Sequence, residues 1–124
     1  MNPQVFTTTV TAQLAEGHDA VDALEACFPG GSMTGAPKIR AMELIKDLEA
    51  GERGLYSGVA GFIGADGAAE FGMIIRSIVF EGQNATIGVG GGITSDSDPL
   101  AELEETKLKA AALLKALNAP DPWA

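Results

Sequence analysis

Tyr56 to Ile93, YSGVAGFIGADGAAEFGMIIRSIVFEGQNATIGVGGGI, has the pattern of an antiparallel meander. Residues 56 to 64 (YSGVAGFIG) predict a first strand, and Ala65-Asp66-Gly67 is a hairpin signal. Residues 69 to 80 (AEFGMIIRSIVF) predict a second strand, and Glu81-Gly82-Gln83-Asn84 turns the chain again. Residues 85 to 93 (ATIGVGGGI) predict the third. After it, Thr94 to Pro99 is a loop with Asp98 as N-cap and Pro99 at the first helical position, opening a helix to Leu117. Before the meander, Pro37 sits in the first turn of a helix running to about Glu49. Phe28 to Gly35 is a loop by its breakers. Residues 19 to 27 predict a short helix capped by Asp19, with Val21, Leu24 and Cys27 on one face. Residues 4 to 11 (QVFTTTVT) predict a further strand. Strand, helix, helix, three-strand meander and helix make an α+β layer with a largely antiparallel sheet.

Composition narrows the function. The 124 residues are enough for one domain and carry 8 Lys plus Arg against 17 Asp plus Glu, a formal charge of −9. That balance argues against nucleic acid and anionic membranes as partners. A single cysteine, Cys27, excludes an internal disulfide framework and fits a reducing, cytoplasmic setting. Its helix spacing predicts a core position rather than a nucleophile. No apolar run is long enough for a membrane span, and Met1 to Gln4 does not read as a signal peptide. His18 lies in a turn and is assigned no role. Glycine is the outlier at 16 residues, which asks where backbone must come close to something.

Four features carry chemistry. In the last helix Leu103, Ala110, Leu114 and Leu117 form an apolar stripe, with Glu104, Lys107 and Lys115 opposite. Glu102, Glu105 and Lys109 fall within about 60° of one another on neither face. Two carboxylates there suit a hard cation such as Mg²⁺, with the lysine near a ligand carboxylate; the alternative is a surface Glu105–Lys109 pair. Arg76 lies in a strand apolar on both faces, so it is expected to be partly buried and to need an anion, either a protein or a ligand carboxylate. Gly88, Gly90 and Gly92 share one strand face without side chains, which admits a ligand or a second backbone, or else marks a bulge. The loop Gly30 to Gly35 offers backbone N–H groups to an anion, or else Ser32 and Thr34 cap the next helix. It lacks the Gly-Lys-Ser/Thr ending of a nucleotide phosphate loop. Tyr56, at a strand start, can turn its hydroxyl inward. Together these describe a site for a small ligand with more than one carboxylate.

The same residues resemble a known family. Phe28-Pro-Gly-Gly-Ser-Met-Thr-Gly-Ala-Pro-Lys-Ile-Arg-Ala-Met-Glu43, Arg53-Gly-Leu-Tyr-Ser-Gly58, Gly90-Gly-Gly-Ile-Thr-Ser-Asp-Ser-Asp-Pro99 and Glu102-x-x-Glu105-Thr-x-x-x-Lys109 are similar, in order, to hallmark segments of the chorismate-utilising enzymes. These include aminodeoxychorismate synthase component I, anthranilate synthase component I, and the isochorismate and salicylate synthases. The match runs nearly to Leu117. Its Gly30-Gly31-Ser32 form resembles the aminodeoxychorismate synthases most; anthranilate synthases more often show Ala-Gly-Thr there.

The resemblance implies that residues 1–124 are a single C-terminal portion of a chorismate-binding domain, a mostly antiparallel sheet packed with helices. It implies Glu105 as a direct Mg²⁺ ligand and Glu102 as a carboxylate reaching the metal directly or through water. Tyr56 and Arg76 would grip the enolpyruvyl carboxylate, and Gly90 and Gly92 would offer backbone contacts. Lys109 would stand near a substrate carboxylate, and Ser32 near the reacting ring carbons. The implied reaction is Mg²⁺-dependent amination of chorismate to 4-amino-4-deoxychorismate, on the way to para-aminobenzoate and folate. Ammonia would come from a glutamine amidotransferase. The runner-up is anthranilate synthase component I, which aminates C2 and loses pyruvate. The family's catalytic lysine, general-acid glutamate, second Mg²⁺-binding glutamate and histidine belong to segments outside the match. One wall of a site is therefore expected, weakly active or inactive alone. A rival expectation is a non-catalytic fragment that self-associates through an exposed apolar face.

Overall fold

The computed structural model describes residues 8–124. Helix α1 (Ala20–Cys27) opens on Asp19, whose carboxylate accepts from the backbone N–H of Val21 and Asp22 while Asp22 returns the bond to Asp19 N–H. This reciprocal capping satisfies donors that the first turn leaves orphaned. Its apolar face is covered only at Leu24, which is partly buried: Val21 is exposed, and Cys27, expected in a core, is exposed as well. The Phe28–Gly35 loop contains a single helical turn, α2 (Gly31–Thr34). Helix α3 (Lys38–Leu48) begins directly after Pro37 and ends at Glu49, whose N–H donates to the Ile45 carbonyl. Neither Ser32 nor Thr34 caps it; the Thr34 hydroxyl donates back to the Gly30 carbonyl at 3.3 Å.

The meander is two hairpins rather than one three-stranded sheet. Strand β1 (Val59–Ile63) pairs antiparallel with β2 (Ala69–Met73), with Val59 opposite Met73 and Ile63 opposite Ala69. Asp66 and Gly67 make the turn, Asp66 accepting from Ala68 N–H and Gly67 taking φ 83°. Strand β3 (Ile78–Glu81) pairs with β4 (Asn84–Ile87) across Gly82-Gln83, with Gly82 at φ 61°. The expected strand over 69–80 breaks between them because Arg76 adopts a left-handed conformation, φ 52°. The ladder persists as far as Ile74, which bonds Gly58 and Ser57, and then Ile75 N–H folds back to the Met73 carbonyl. Each half of the expected strand thus finds a different partner.

The predicted strand over residues 4–11 lies outside the described residues up to position 7, and residues 8–11 form no strand. A strand needs a ladder partner, and none of the described residues offers one to this segment.

Helix α4 (Pro99–Leu117) begins as expected, with Asp98 accepting from Ala101 N–H and Pro99 in the first turn, and stops at Asn118 in a left-handed cap. Ala110 on this helix is buried, but Leu103 of the expected stripe is exposed, and Lys107, expected opposite, is half covered and pairs with Glu104. Leu114 and Leu117 of the stripe are partly buried as expected, and the covered face widens to Glu102, Thr106, Lys109 and Leu113, also partly buried. Among the described residues no large side chain is fully buried. The surface, 10319 Å², far exceeds the roughly 6,200 Å² expected of a compact monomer of this mass. Phe62, Phe80, Ile39 and Leu108 are among the apolar side chains left open. No helix among the described residues is long and apolar enough to cross a membrane.

Candidate functional site

An open cavity of about 780 Å³ gathers Ser32 from α2, Tyr56 from the turn before β1, Arg76 from the β2–β3 break, Gly90 and Gly92 from the segment after β4, and Lys109 from α4. Five chain segments meet there, because the hairpins and the turn carry the Gly88–Gly92 backbone past the face of α4.

Tyr56 is the best fixed of these side chains. Its ring lies on Gly88: a Cβ built on Gly88 would fall 2.2 Å from Tyr56 Cγ. Its hydroxyl reaches Gly90, where an added Cβ would lie 3.1 Å from Oη. The missing side chains therefore admit the tyrosine ring, a protein group, as well as leaving backbone open to a ligand. Gly92 has nothing within 4 Å of its would-be Cβ and stays free. The expected single strand face does not form, since β4 ends at Ile87 and Gly88 to Gly92 run as irregular chain.

Arg76 corrects the expectation of a partly buried cation. The left-handed kink turns it out of the strand, and it is exposed. Among the described residues it makes no ion pair. Its planar fork is therefore uncommitted at the cavity wall. A left-handed arginine is not announced by the apolar run around it, which reads as continuous strand.

On α4, Lys109 Nζ donates to the Gly90 carbonyl at 3.0 Å and pairs with Glu105 Oε1 at 2.5 Å. The hydrogen bond and charge of Lys109 hold the Glu105 carboxyl below its ordinary range. Glu102 takes a different partner, accepting from the Ser97 hydroxyl at 2.7 Å. Its other oxygen, Oε2, lies 3.0 Å from where a Cβ of Gly91 would stand. Glu102 thus lies beside the glycine segment, whereas Glu105 is exposed and held only by Lys109; each is occupied by a donor, and neither lines the cavity. Among the described residues no three His, Cys, Asp or Glu side chains gather as a ready metal cage. Two carboxylates one turn apart on α4 are the donor chemistry Mg²⁺ accepts, since it takes few protein oxygens and completes its shell with water and substrate; both lie outside the cavity lining.

One cavity residue was not anticipated. Arg53 forks onto Glu49 with Nε at 2.8 Å and Nη2 at 2.5 Å, while Nη1 donates to the Met33 carbonyl at 2.7 Å and to Ser57 Oγ at 3.0 Å. Its guanidinium carbon lies 5.8 Å from the Tyr56 ring centroid. The Arg53 bond holds the Glu49 carboxyl below its ordinary range. The i,i+4 spacing of Glu49 and Arg53 across the end of α3 was the available signal, but the contacts to Met33 and Ser57 have none in the sequence.

Residues 4–115 match the family described as chorismate binding enzyme, and the chain is a member of that family. Among its relatives, anthranilate synthase component 1 of Streptomyces coelicolor is 49% identical over 113 residues, covering 91% of this chain and 22% of the relative. Aminodeoxychorismate synthase of Streptomyces griseus is 50% identical over 115 residues, covering 93% of this chain and 16% of the relative. Anthranilate synthase component 1 of Mycobacterium tuberculosis is 44% identical over 117 residues, covering 94% and 23%. The chain therefore spans about a fifth of the length of the curated relatives it matches.

Proposed function

We propose that this chain is a C-terminal portion of a chorismate-aminating enzyme and supplies one wall of its active site. The supporting observation is convergence: Ser32, Tyr56, Arg76, Gly90, Gly92 and Lys109, distant in sequence, line one cavity in a member of the chorismate-binding family. Chorismate is a dicarboxylate, and the cavity wall offers it an uncommitted guanidinium and an ammonium within an otherwise acidic chain. Arg76 and the Tyr56 hydroxyl grip the enolpyruvyl carboxylate. Lys109 moves from Glu105 toward the ring carboxylate, and the backbone at Gly90 and Gly92 borders the ring. Ser32 stands by the reacting ring carbons. Glu105 and Glu102 are the residues that would hold Mg²⁺, which would supply charge screening for the ring carboxylate and polarisation of the leaving hydroxyl. Ammonia delivered by a glutamine amidotransferase replaces that hydroxyl, water leaves, and 4-amino-4-deoxychorismate results, on the route to para-aminobenzoate and folate.

A second reading, amination at C2 with loss of pyruvate to give anthranilate, is supported by a specific observation. Relatives bearing the two names match at nearly equal identity, 49% and 50%. Gly30-Gly31-Ser32 favours the first product.

The test is chorismate consumption with Mg²⁺ and ammonium, products identified by mass. The chain is assayed alone and with the preceding portion of an aminodeoxychorismate synthase added in trans. The expected result is aminodeoxychorismate only in the combined sample. Anthranilate moves the assignment to the second reading. Turnover by the chain alone overturns the one-wall reading, and absence of chorismate binding in both samples overturns the function.

A further inference from the structure

We infer that Arg53 is the positioning residue of this site, holding Tyr56 and the Ser32 turn in register for the substrate. The inference rests on the chorismate reading above, and one of its readouts is independent of that reading.

A single guanidinium joins three separate pieces of the wall. Its fork on Glu49 anchors it to the end of α3. Its remaining nitrogen donates to the carbonyl of Met33, the residue after Ser32, and to the hydroxyl of Ser57, the residue after Tyr56. Its plane stands over the Tyr56 ring. Ser57 is buried and holds φ 69°, a conformation that a non-glycine residue keeps only where its surroundings impose it. Here they do: Ser57 N–H donates to the Ile74 carbonyl at 3.1 Å while Arg53 holds its side chain. That same backbone bond ties the turn to Ile74, two residues before Arg76. Four of the five N–H donors of Arg53 are engaged by protein acceptors, the second hydrogen of Nη2 being the exception. Its main effect on substrate therefore passes through Tyr56 and the Ser32 turn that it holds. Lysine cannot replace it, since an ammonium lacks the planar fork that serves a carboxylate and two further acceptors at once.

The chain has one tyrosine, so Tyr56 can be observed alone by ring-labelled NMR. Arg53→Lys, Arg53→Gln and Glu49→Gln are compared with wild type and with Arg40→Gln, which breaks only an exposed pair with Glu43. The readouts are the Tyr56 ring signal and chorismate affinity, both measured well below each variant's melting temperature. Arg53→Gln and Arg53→Lys are expected to shift the ring signal and weaken chorismate binding by about tenfold or more, as misplaced groups do. Glu49→Gln is expected to have a smaller effect in the same direction, and Arg40→Gln none. A variant that melts earlier but keeps the wild-type ring signal and affinity assigns Arg53 a merely structural role and overturns the inference. If Arg53→Gln does not fold, Glu49→Gln decides by the same two readouts. If wild type binds no chorismate even with the preceding portion of an aminodeoxychorismate synthase added in trans, the functional reading fails, yet an unmoved ring signal in the variants still refutes Arg53 as the residue that places Tyr56.

Discussion

Replacing Gly88 by alanine tests the packing on which the site depends. The added Cβ would lie 2.2, 2.5 and 2.7 Å from Cγ, Cβ and Cδ2 of Tyr56, against about 3.5–4.0 Å for an ordinary carbon contact. These atoms are at the base of the ring, so a rotation about the outer bonds cannot clear them. The backbone cannot easily retreat either: Tyr56 N–H is bonded to Arg53 and Ser57 N–H to Ile74. Overpacking of this kind costs about 1–3 kcal/mol. For a chain of this size that corresponds to a fall in melting temperature of roughly 5–15 °C. The control is Gly92→Ala, where nothing lies within 4 Å of the new Cβ. It should hold the melting temperature within a degree or two, roughly the effect of a neutral surface change. Circular dichroism melts read the stability, and chorismate titration reads the site. Gly88→Ala should lose both, because the displaced ring carries its hydroxyl away from Gly90. Gly92→Ala should weaken chorismate alone if backbone at that position borders the substrate. Equal melting temperatures for Gly88→Ala and wild type would refute the Tyr56–Gly88 contact.

Other expectations follow from the same geometry. Lys109→Met should tighten Mg²⁺ binding, measured by titration calorimetry, because it frees Glu105, while weakening chorismate; weaker Mg²⁺ binding would count against Glu105 as a ligand. Glu105 is held below its ordinary carboxyl range by Lys109, so the pair's contribution is present above that range and disappears as pH falls through the lowered value. Acid melts of Glu105→Gln should accordingly lack that acid-side loss, and a pH profile identical to wild type would contradict the pairing. The same sign holds for Glu49 beside Arg53, and Glu49→Gln should lower neutral-pH stability toward the acid-side value of wild type. The surface exceeds that of a compact monomer by about 4,000 Å², and large apolar side chains such as Phe62 and Phe80 contribute to it. Sedimentation velocity at roughly 100 μM should show self-association that Phe62→Lys and Phe80→Lys relieve, since exposed apolar patches of this extent seek a partner; a single monomer peak for wild type would refute it.

The sequence alone determined the local elements. Asp19, Asp98, Pro99 and Pro37 announce helix starts because caps act over three or four residues, and Asp66-Gly67 and Gly82 announce turns for the same reason. It also determined the chemical inventory, since helical spacing alone puts Glu102, Glu105 and Lys109 on one arc. What it could not disclose depends on partners distant in the chain. The strand over 69–80 reads as continuous, yet breaks at Arg76 because its halves pair with different neighbours. Cys27, Val21 and Leu103 carry the spacing of a core but are exposed, since periodicity marks a face to be covered without supplying the cover. Gly88 and Gly90 look like bare backbone awaiting a ligand, and the tertiary structure lays Tyr56 upon them. Arg53 is the clearest case: only folding brings Met33, Glu49 and Ser57 within reach of one guanidinium, because hydrogen bonds are decided by separation in space and not along the chain.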